Sequence, residues 1–426
     1  MNLKQIRYNA YKKILKEELV SATGCTEPIS IALGAAKVKE TLGIIPQRVK
    51  VEVSENIVKN AKSVIVPNTN QLKGIKSAIA AGIIAGNCVK NLDVLSDVSE
   101  SKIEEIKAFL NTCLIEVFTV DSFFPFDLQI TAFHDDAYAK VRIAHHHTNF
   151  VHIEKNGLVL FSKKDTEHND PLEEERKLLS IKEIVAFADH VELDDLIPFL
   201  DQQIENNMAI AMEGIKENYG ANIGKVLLSV YGNDIKVRAK ALAAAASDAR
   251  MSGSKFPVTI VAGSGNQGLT ASIPVIIYAR ELKVPQEKLY RALIVSNLVT
   301  VHQKTGVGNL SAYCGAVFSG AGSGAGIAYL HGDGYEAIAH TIVNALAIIS
   351  GMICDGAKPS CAAKIATSVD AGILGYQMYL QGQEFLGGDG IIAKGVEQTL
   401  SNVSRLAKDG MKYTDKEILK IMSETD

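Results

Sequence analysis

The chain has 426 residues, 47% of them hydrophobic and 22% charged, the composition of a globular protein of two or three domains. Lys and Arg number 44 against 48 Asp and Glu, a formal charge of −4 with no strongly basic block, which argues against a nucleic-acid binder held by phosphate electrostatics. The most apolar stretches, Ala78 to Val89 and Ala337 to Cys354, are short or interrupted by Asn, His and Thr, whereas a membrane span wants about 20 apolar residues. The opening MNLKQIRYNAYKKILKEEL is charged throughout and lacks the apolar core of a signal peptide. The expectation is a cytoplasmic protein with neither a nucleic-acid nor a membrane partner, and with self-association left open. In a reducing cytoplasm, clustered cysteines more often bind metal or do chemistry than form disulfides.

In chain order, Ile6, Ala10, Ile14, Leu15 and Leu19 recur at helical spacing and predict an amphipathic helix. Pro28 opens a second helical pattern, ISIALGAAKVKETLG, ended by Gly43. QRVKVEVS, residues 47 to 54, alternates and reads as a strand, and Ser101 with Glu104 has the spacing of a capping box. From Leu114 the runs LIEVFTV, DLQITAFH, AYAKVRIAHHH, NFVHIEK and LVLFS predict an antiparallel sheet of three to five strands, with Asp135-Asp136 and Asn156-Gly157 as hairpin turns. The polar run Lys163 to Lys177 is the expected linker. Beyond it the pattern is almost wholly helical: Ser180 with Glu183 is a capping box, VRAKALAAAASDAR a helix, and Pro285 a helix start. Helices from Tyr335 to Ile353 and from Cys361 to about Leu380 are joined by DGAKPS. The expected fold is α+β: an N-terminal domain, residues 1–165, of helices with an antiparallel sheet, then a mostly α-helical domain with Gly-rich loops, residues 178–426.

Cys88 and Cys113 sit amid apolar residues and read as buried small hydrophobes. The other four differ. Cys354 ends one helix and Cys361 begins the next, so one loop can aim both sulfurs at one point. Cys314 lies between GVGNLSAY and GAVFSGAGSGAG; nine glycines fall between Gly306 and Gly334, a clustering that lets backbone approach a bulky group. Three cysteines without a C-x-x-C fit a cluster with an open site better than a closed zinc, a Cys₃His site with His331 or His340 being the rival. Cys25, in TGCTEP, falls at a helix N-terminus with Thr26 or Glu27 as the expected cap. The partial positive charge there favours thiolate, which suits a base or nucleophile.

GSGNQG, Gly263 to Gly268, matches a dinucleotide fingerprint, but Pro274 falls where the phosphate-binding helix should run and no second βα unit follows. A turn presenting Asn266 and Gln267 to a small polar ligand is the better reading. His145 and His147 share a strand face, and His147-Thr148-Asn149 could hydrogen-bond a carboxylate or amino group.

Together, TGCTEPISIALGAA, GSGNQG, CGAV with GAGSGAG, and CDGAKPSC resemble the L-cysteine desulfidase family, related to the iron–sulfur L-serine dehydratases through the helical C-terminal domain. The resemblance spans nearly the whole chain and rests on the order and spacing of four motifs. It implies an oxygen-sensitive 4Fe-4S enzyme without pyridoxal phosphate that converts L-cysteine to pyruvate, ammonia and sulfide. Carried over, Cys314, Cys354 and Cys361 match the three cluster cysteines, leaving one iron open, and Cys25 matches the catalytic cysteine, here the candidate base for the Cα proton. Where the family has a KNG segment, this chain reads Lys59-Asn60-Ala61. The expected substrate contacts are Asn266, Gln267, Gly268, His147, Asn149, Lys59 and Asn60. The alternatives are an iron–sulfur serine or threonine dehydratase, and a cluster-bearing sensor without turnover, which would need no poised Cys25.

Overall fold

The computed structural model describes residues 3–122, 124, 126–163, 172–307 and 311–424. Helix α1 (Leu3–Glu18) buries Ala10, Tyr11, Ile14 and Leu15, as its periodicity predicts. That face packs on the helical half of the chain. Tyr8 and Tyr11 both meet Phe187 edge-on, and their hydroxyls donate to the carbonyls of Ala186 and Leu178.

A short strand β1 (Ser21–Thr23) precedes helix α2 (Thr26–Leu42). Strand β2 (Arg48–Ser54) follows, then helices α3 (Glu55–Ala61), α4 (Gly74–Ala85) and α5 (Glu100–Thr112). Strands β3 (Leu114–Val120), β4 (Asp127–His134), β5 (Ala137–Ala144), β6 (Phe150–Lys155) and β7 (Leu158–Ser162) complete a six-stranded sheet in the order β3-β2-β4-β5-β6-β7. The expected all-antiparallel sheet of three to five strands is corrected here: β3 pairs parallel to β2, reached by the α3–α4–α5 crossover. Parallel neighbours need such a long connection, which no local turn signal announces. The hairpins are where the turns place them. His134 pairs with Ala137 and Lys155 with Leu158, and Asn156 and Gly157 both take positive φ, as a type I′ turn requires. Helix α2 lies across β4 and β5 and packs on α4, which leaves it buried along most of its length.

Of the expected linker, residues 164–171 lie outside those described; its end forms the short helix α6 (Glu173–Arg176). Helices α7 (Ile181–His190), α8 (Ile197–Lys216), α9 (Ile223–Tyr231) and α10 (Ile235–Met251) follow, with Ser180 capping α7 through the Glu183 amide. Strand β8 (Pro257–Thr259) leads to α11 (Gly265–Leu282), α12 (Gln286–Thr305), α13 (Gly315–His331), α14 (Tyr335–Ile349), α15 (Cys361–Leu380), α16 (Val396–Arg405) and α17 (Lys412–Glu424). Helix α13 runs buried among α11, α12, α14 and α15. Its glycines serve that packing rather than a bulky group, which corrects the reading from composition. A Cβ at Gly320 would collide with the Ser368 carbonyl, and one at Gly324 with the Gly372 backbone.

The decisive long-range contact is small. β1 pairs antiparallel with β8, Ala22 opposite Val258. The start of α2 at Cys25 and the first turn of α11, which carries Asn266 and Gln267 where a Gly-rich turn was expected, each follow one of these strands, so the pairing sets them side by side.

Candidate active site

The pairing opens a cavity of about 920 Å³ lined by Cys25, Glu27, Asn60, His145 to His147, Arg250, Asn266, Gln267, Lys304, Tyr313, Cys314, Cys354 and Cys361. Cys25 is itself the N-cap of α2, one residue earlier than expected, with φ −82° and ψ 135° and no side-chain capping bond. Its buried Sγ instead donates to Glu27 Oε2 at 3.2 Å, an oxygen that also accepts from Thr26 Oγ1 at 3.0 Å. His147 Nε2 stands 3.9 Å from Glu27 Oε1, in ion-pair range but too long for a hydrogen bond.

The electrostatics overturn the expected thiolate. Burial pushes the Cys25 thiol far up, and the Glu27 charge pushes it further, while Arg250 pulls the other way. Burial would also raise Glu27, but the facing imidazole and the Cys25 thiol outweigh it and hold that carboxyl down at about 2. The resting pair is therefore thiol and carboxylate. A helix N-terminus contributes only about half a unit of charge, too little against full burial beside an anion.

Across the cavity, Cys314 caps α13 and Cys361 is the first residue of α15. A backbone bridge between Tyr313 and Ile353 ties the Cys314 and Cys354 segments together, with Cys314 N donating to Met352 O at 2.9 Å and Cys354 N to Ala312 O at 2.6 Å. The Cys314 thiol donates to Cys354, whose acidity is raised by that bond first and then, against burial, by Lys59 and the Gly356 amide. Cys314 is correspondingly pushed well up. Lys304 lines the same wall; burial lowers its pKa to about 8 against the pull of Cys354 and Cys314.

Among the described residues no three His, Cys, Asp or Glu side chains converge as ligands to one ion. A cluster asks for something else, since each thiolate binds its own iron on a separate corner. Three cysteines on one cavity wall, one already acidified and with buried cations nearby, fit that demand. The rival zinc site does not: His331 packs against Tyr278 edge-on and against Tyr376 at a tilt, and His340 pairs with Glu384, both off the lining.

Of the expected substrate contacts, Asn266, Gln267, His147 and Asn60 reach the cavity. Gln267 Oε1 and His147 Nε2 are buried there without a hydrogen-bond partner, as is the Tyr313 hydroxyl. Three do not reach it. Asn149 is spent on its own turn, bonding Ala144 O and Lys163. Gly268 is pressed against the Thr259 carbonyl, where no side chain fits. Lys59 is buried behind the wall and paired with Asp415 of α17 at 2.5 Å. Cys88 is also corrected: it is half-buried and donates to Glu40 on the surface. Sequence reasoning missed Glu27, Arg250, Lys304 and Tyr313. Only Glu27 carried a signal, as the acid adjoining Cys25 in TGCTEP.

No described helix is long and apolar enough to cross a membrane. Residues 89–420 match the family described as Serine dehydratase alpha chain. The chain is 61% identical to a UPF0597 protein of Desulfitobacterium hafniense (strain Y51), over 97% of this chain and 96% of that one. It is 48% identical to a UPF0597 protein of Lachnoclostridium phytofermentans, over 97% and 99%, and 43% identical to one of Treponema denticola, over 99% of each. The family description carries the relationship to the serine dehydratases, and the relatives' names state no activity. Matched along most of its length, with three of its cysteines gathered on one wall of a single cavity, the chain belongs to the serine dehydratase alpha chain family, a family of iron–sulfur, dehydratase-like lyases.

Proposed function

We propose that the protein is an L-cysteine desulfidase, a carbon–sulfur lyase that releases sulfide from a small α-amino acid by β-elimination. Cys314, Cys354 and Cys361 would hold a 4Fe-4S cluster. When bound, the cluster supplies a Lewis-acidic iron that favours departure of the β-substituent. The observation that carries the reading is Cys25, a buried thiol facing the same cavity as the three cysteines. No ligand set of three cysteines needs it.

The chain's own groups suit removal of a proton from Cα. The Cys25 proton is directed at Glu27, and Cys25 becomes a base once positive charge enters beside it. The ammonium group of an α-amino acid brings that charge with the substrate, lowering the thiol's pKa when it is needed. Gln267 Oε1, an unpaired acceptor on the lining, suits the same ammonium.

A second reading, an L-serine dehydratase, is favoured by the match to the serine dehydratase alpha chain family. Anaerobically reconstituted protein given L-cysteine and L-serine side by side separates the two. Sulfide with pyruvate from cysteine is the expected result. Pyruvate from serine alone would establish the dehydratase, and a filled cluster with neither product would end both readings.

A further inference from the structure

The cavity contains a charge that the reading above leaves unused. Arg250 ends helix α10 and is 3% exposed. Of its five N–H donors, one is engaged: Nε donates to the Gly24 carbonyl at 3.0 Å. Among the described residues no carboxylate lies within ion-pair distance of the guanidinium. Its Nη groups bond no atom of the described residues, and the residue lines the cavity. A buried cation without a partner is expensive, and a guanidinium cannot escape the cost by losing its proton. Folded proteins tolerate that where a ligand completes the pair.

The surroundings are built to keep this guanidinium in place. A Cβ on Gly265 would stand 2.7 Å from Arg250 Cζ, so the second glycine of GSGNQG is the seat on which the group lies flat. Arg250 lines the cavity together with Cys25 on one wall and Cys361 on the other. Lys304, the other buried cation here, faces Cys354 and Cys314. Gln267, two residues beyond Gly265, offers its free Oε1, an acceptor suited to ammonium.

We infer that Arg250, seated on Gly265, is the receptor for the substrate's α-carboxylate and restricts the site to amino acids bearing a free carboxylate on the reacting carbon. The inference rests on the reading of the cavity as an amino-acid site and names the group that makes it one. A planar fork meeting a carboxylate makes two parallel bonds, which fix the Cα–carboxylate axis as well as holding the ligand. Esters, amides and N-terminal cysteinyl peptides present no such anion on that carbon, so they fall outside the specificity.

The test measures dissociation constants of L-cysteine, L-serine and 2-aminoethanethiol, which lacks the carboxylate, on the full reconstituted chain. Arg250→Met should weaken both amino acids about 10²- to 10³-fold, the scale of losing one partner of a buried charged pair, and leave 2-aminoethanethiol unchanged. Arg250→Lys should recover part of the loss, and millimolar guanidinium chloride should partly rescue Arg250→Met. Should Arg250→Met not fold, Gly265→Ala, which crowds the group without removing it, should weaken the amino acids alone.

Unchanged amino-acid affinity in Arg250→Met overturns the inference. So does a variant whose kcat falls with KM constant, since that would make Arg250 only the fastener of the Gly24 turn. The two readings fail separately: Arg250-dependent binding with no product ends the lyase alone, and sulfide release with an Arg250-independent KM ends the receptor alone.

Discussion

The two walls of the cavity differ in what surrounds Cys25 on one and Cys354 on the other. On the wall made by the start of α2, Cys25 is buried beside the Glu27 carboxylate and keeps its proton. On the wall made by the starts of α13 and α15, Cys354 accepts from the Cys314 thiol and is acidified, with Lys304 on the same wall and Lys59 behind it. Both walls place cysteine at or near a helix N-terminus, so the helix end does not decide the protonation state. Burial and the hydrogen-bond partner at each sulfur do, with the nearby full charges adding to them. One wall thus suits proton transfer, and the other suits thiolates held for metal.

The comparison breaks most visibly at the second wall. Cys314→Ala, Cys354→Ala or Cys361→Ala should each abolish the visible thiolate-to-iron absorption and all turnover. Full cluster content in any one variant removes that residue from the ligand set. Cys25→Ala should instead retain the cluster while kcat falls by about 10² to 10⁴, the usual contribution of a general base. Exchange of the substrate Cα hydrogen with solvent is the sharpest readout. A wild-type exchange rate in Cys25→Ala would transfer the base's role elsewhere.

The first wall can be probed through pH. The Glu27 pKa is about 2 in the folded protein against an ordinary 4.5. A depressed carboxyl contributes stability that is fully present above pH 4.5 and lost as pH falls through 2. The amount is about 3 kcal/mol at neutral pH. Glu27→Gln should therefore flatten the acid limb of a denaturation curve between roughly pH 5 and 2. It should also speed alkylation of Cys25, because the anion that holds the thiol's proton is gone. An unaltered acid limb would mean that Glu27 is not the charged partner. The smallest effect is expected outside both walls: Cys88→Ser, on the surface against Glu40, should change stability by no more than about 0.5 kcal/mol and leave the cluster intact.

How much of this the sequence disclosed follows the range of each interaction. The Asn156-Gly157 turn, the Ser180 cap and the start of α15 at Cys361 are set within a few residues, and their local chemistry is legible. Cys25 and Cys361 were found because punctuation by Pro and Gly placed them at helix starts, Cys354 because it ends the helix pattern before Cys361, and Cys314 by its Gly-rich flanks. Arg250 was not, because at the end of an alanine-rich helix it reads as a favourable C-terminal cation. Nothing local says that β1 and β8 bring that end beneath Gly24. The same distance hid the parallel β2–β3 pair. The glycines of α13 misled for another reason: close approach of backbone has the same composition whether the neighbour is a helix or a metal cluster.

The β1–β8 pairing also imposes an order of assembly. Ser21–Thr23 emerge from the ribosome early, whereas Pro257–Thr259 follow after more than half of the chain has been made. At about 5–20 residues per second that interval is on the order of ten seconds or more. Through it the Cys25 turn has no partner strand, no Arg250 beneath it and no opposite wall. A nascent chain can thus complete its six-stranded sheet and still expose a nucleophile that the finished fold buries, which makes the half-made protein, rather than the native one, the species most open to thiol oxidation.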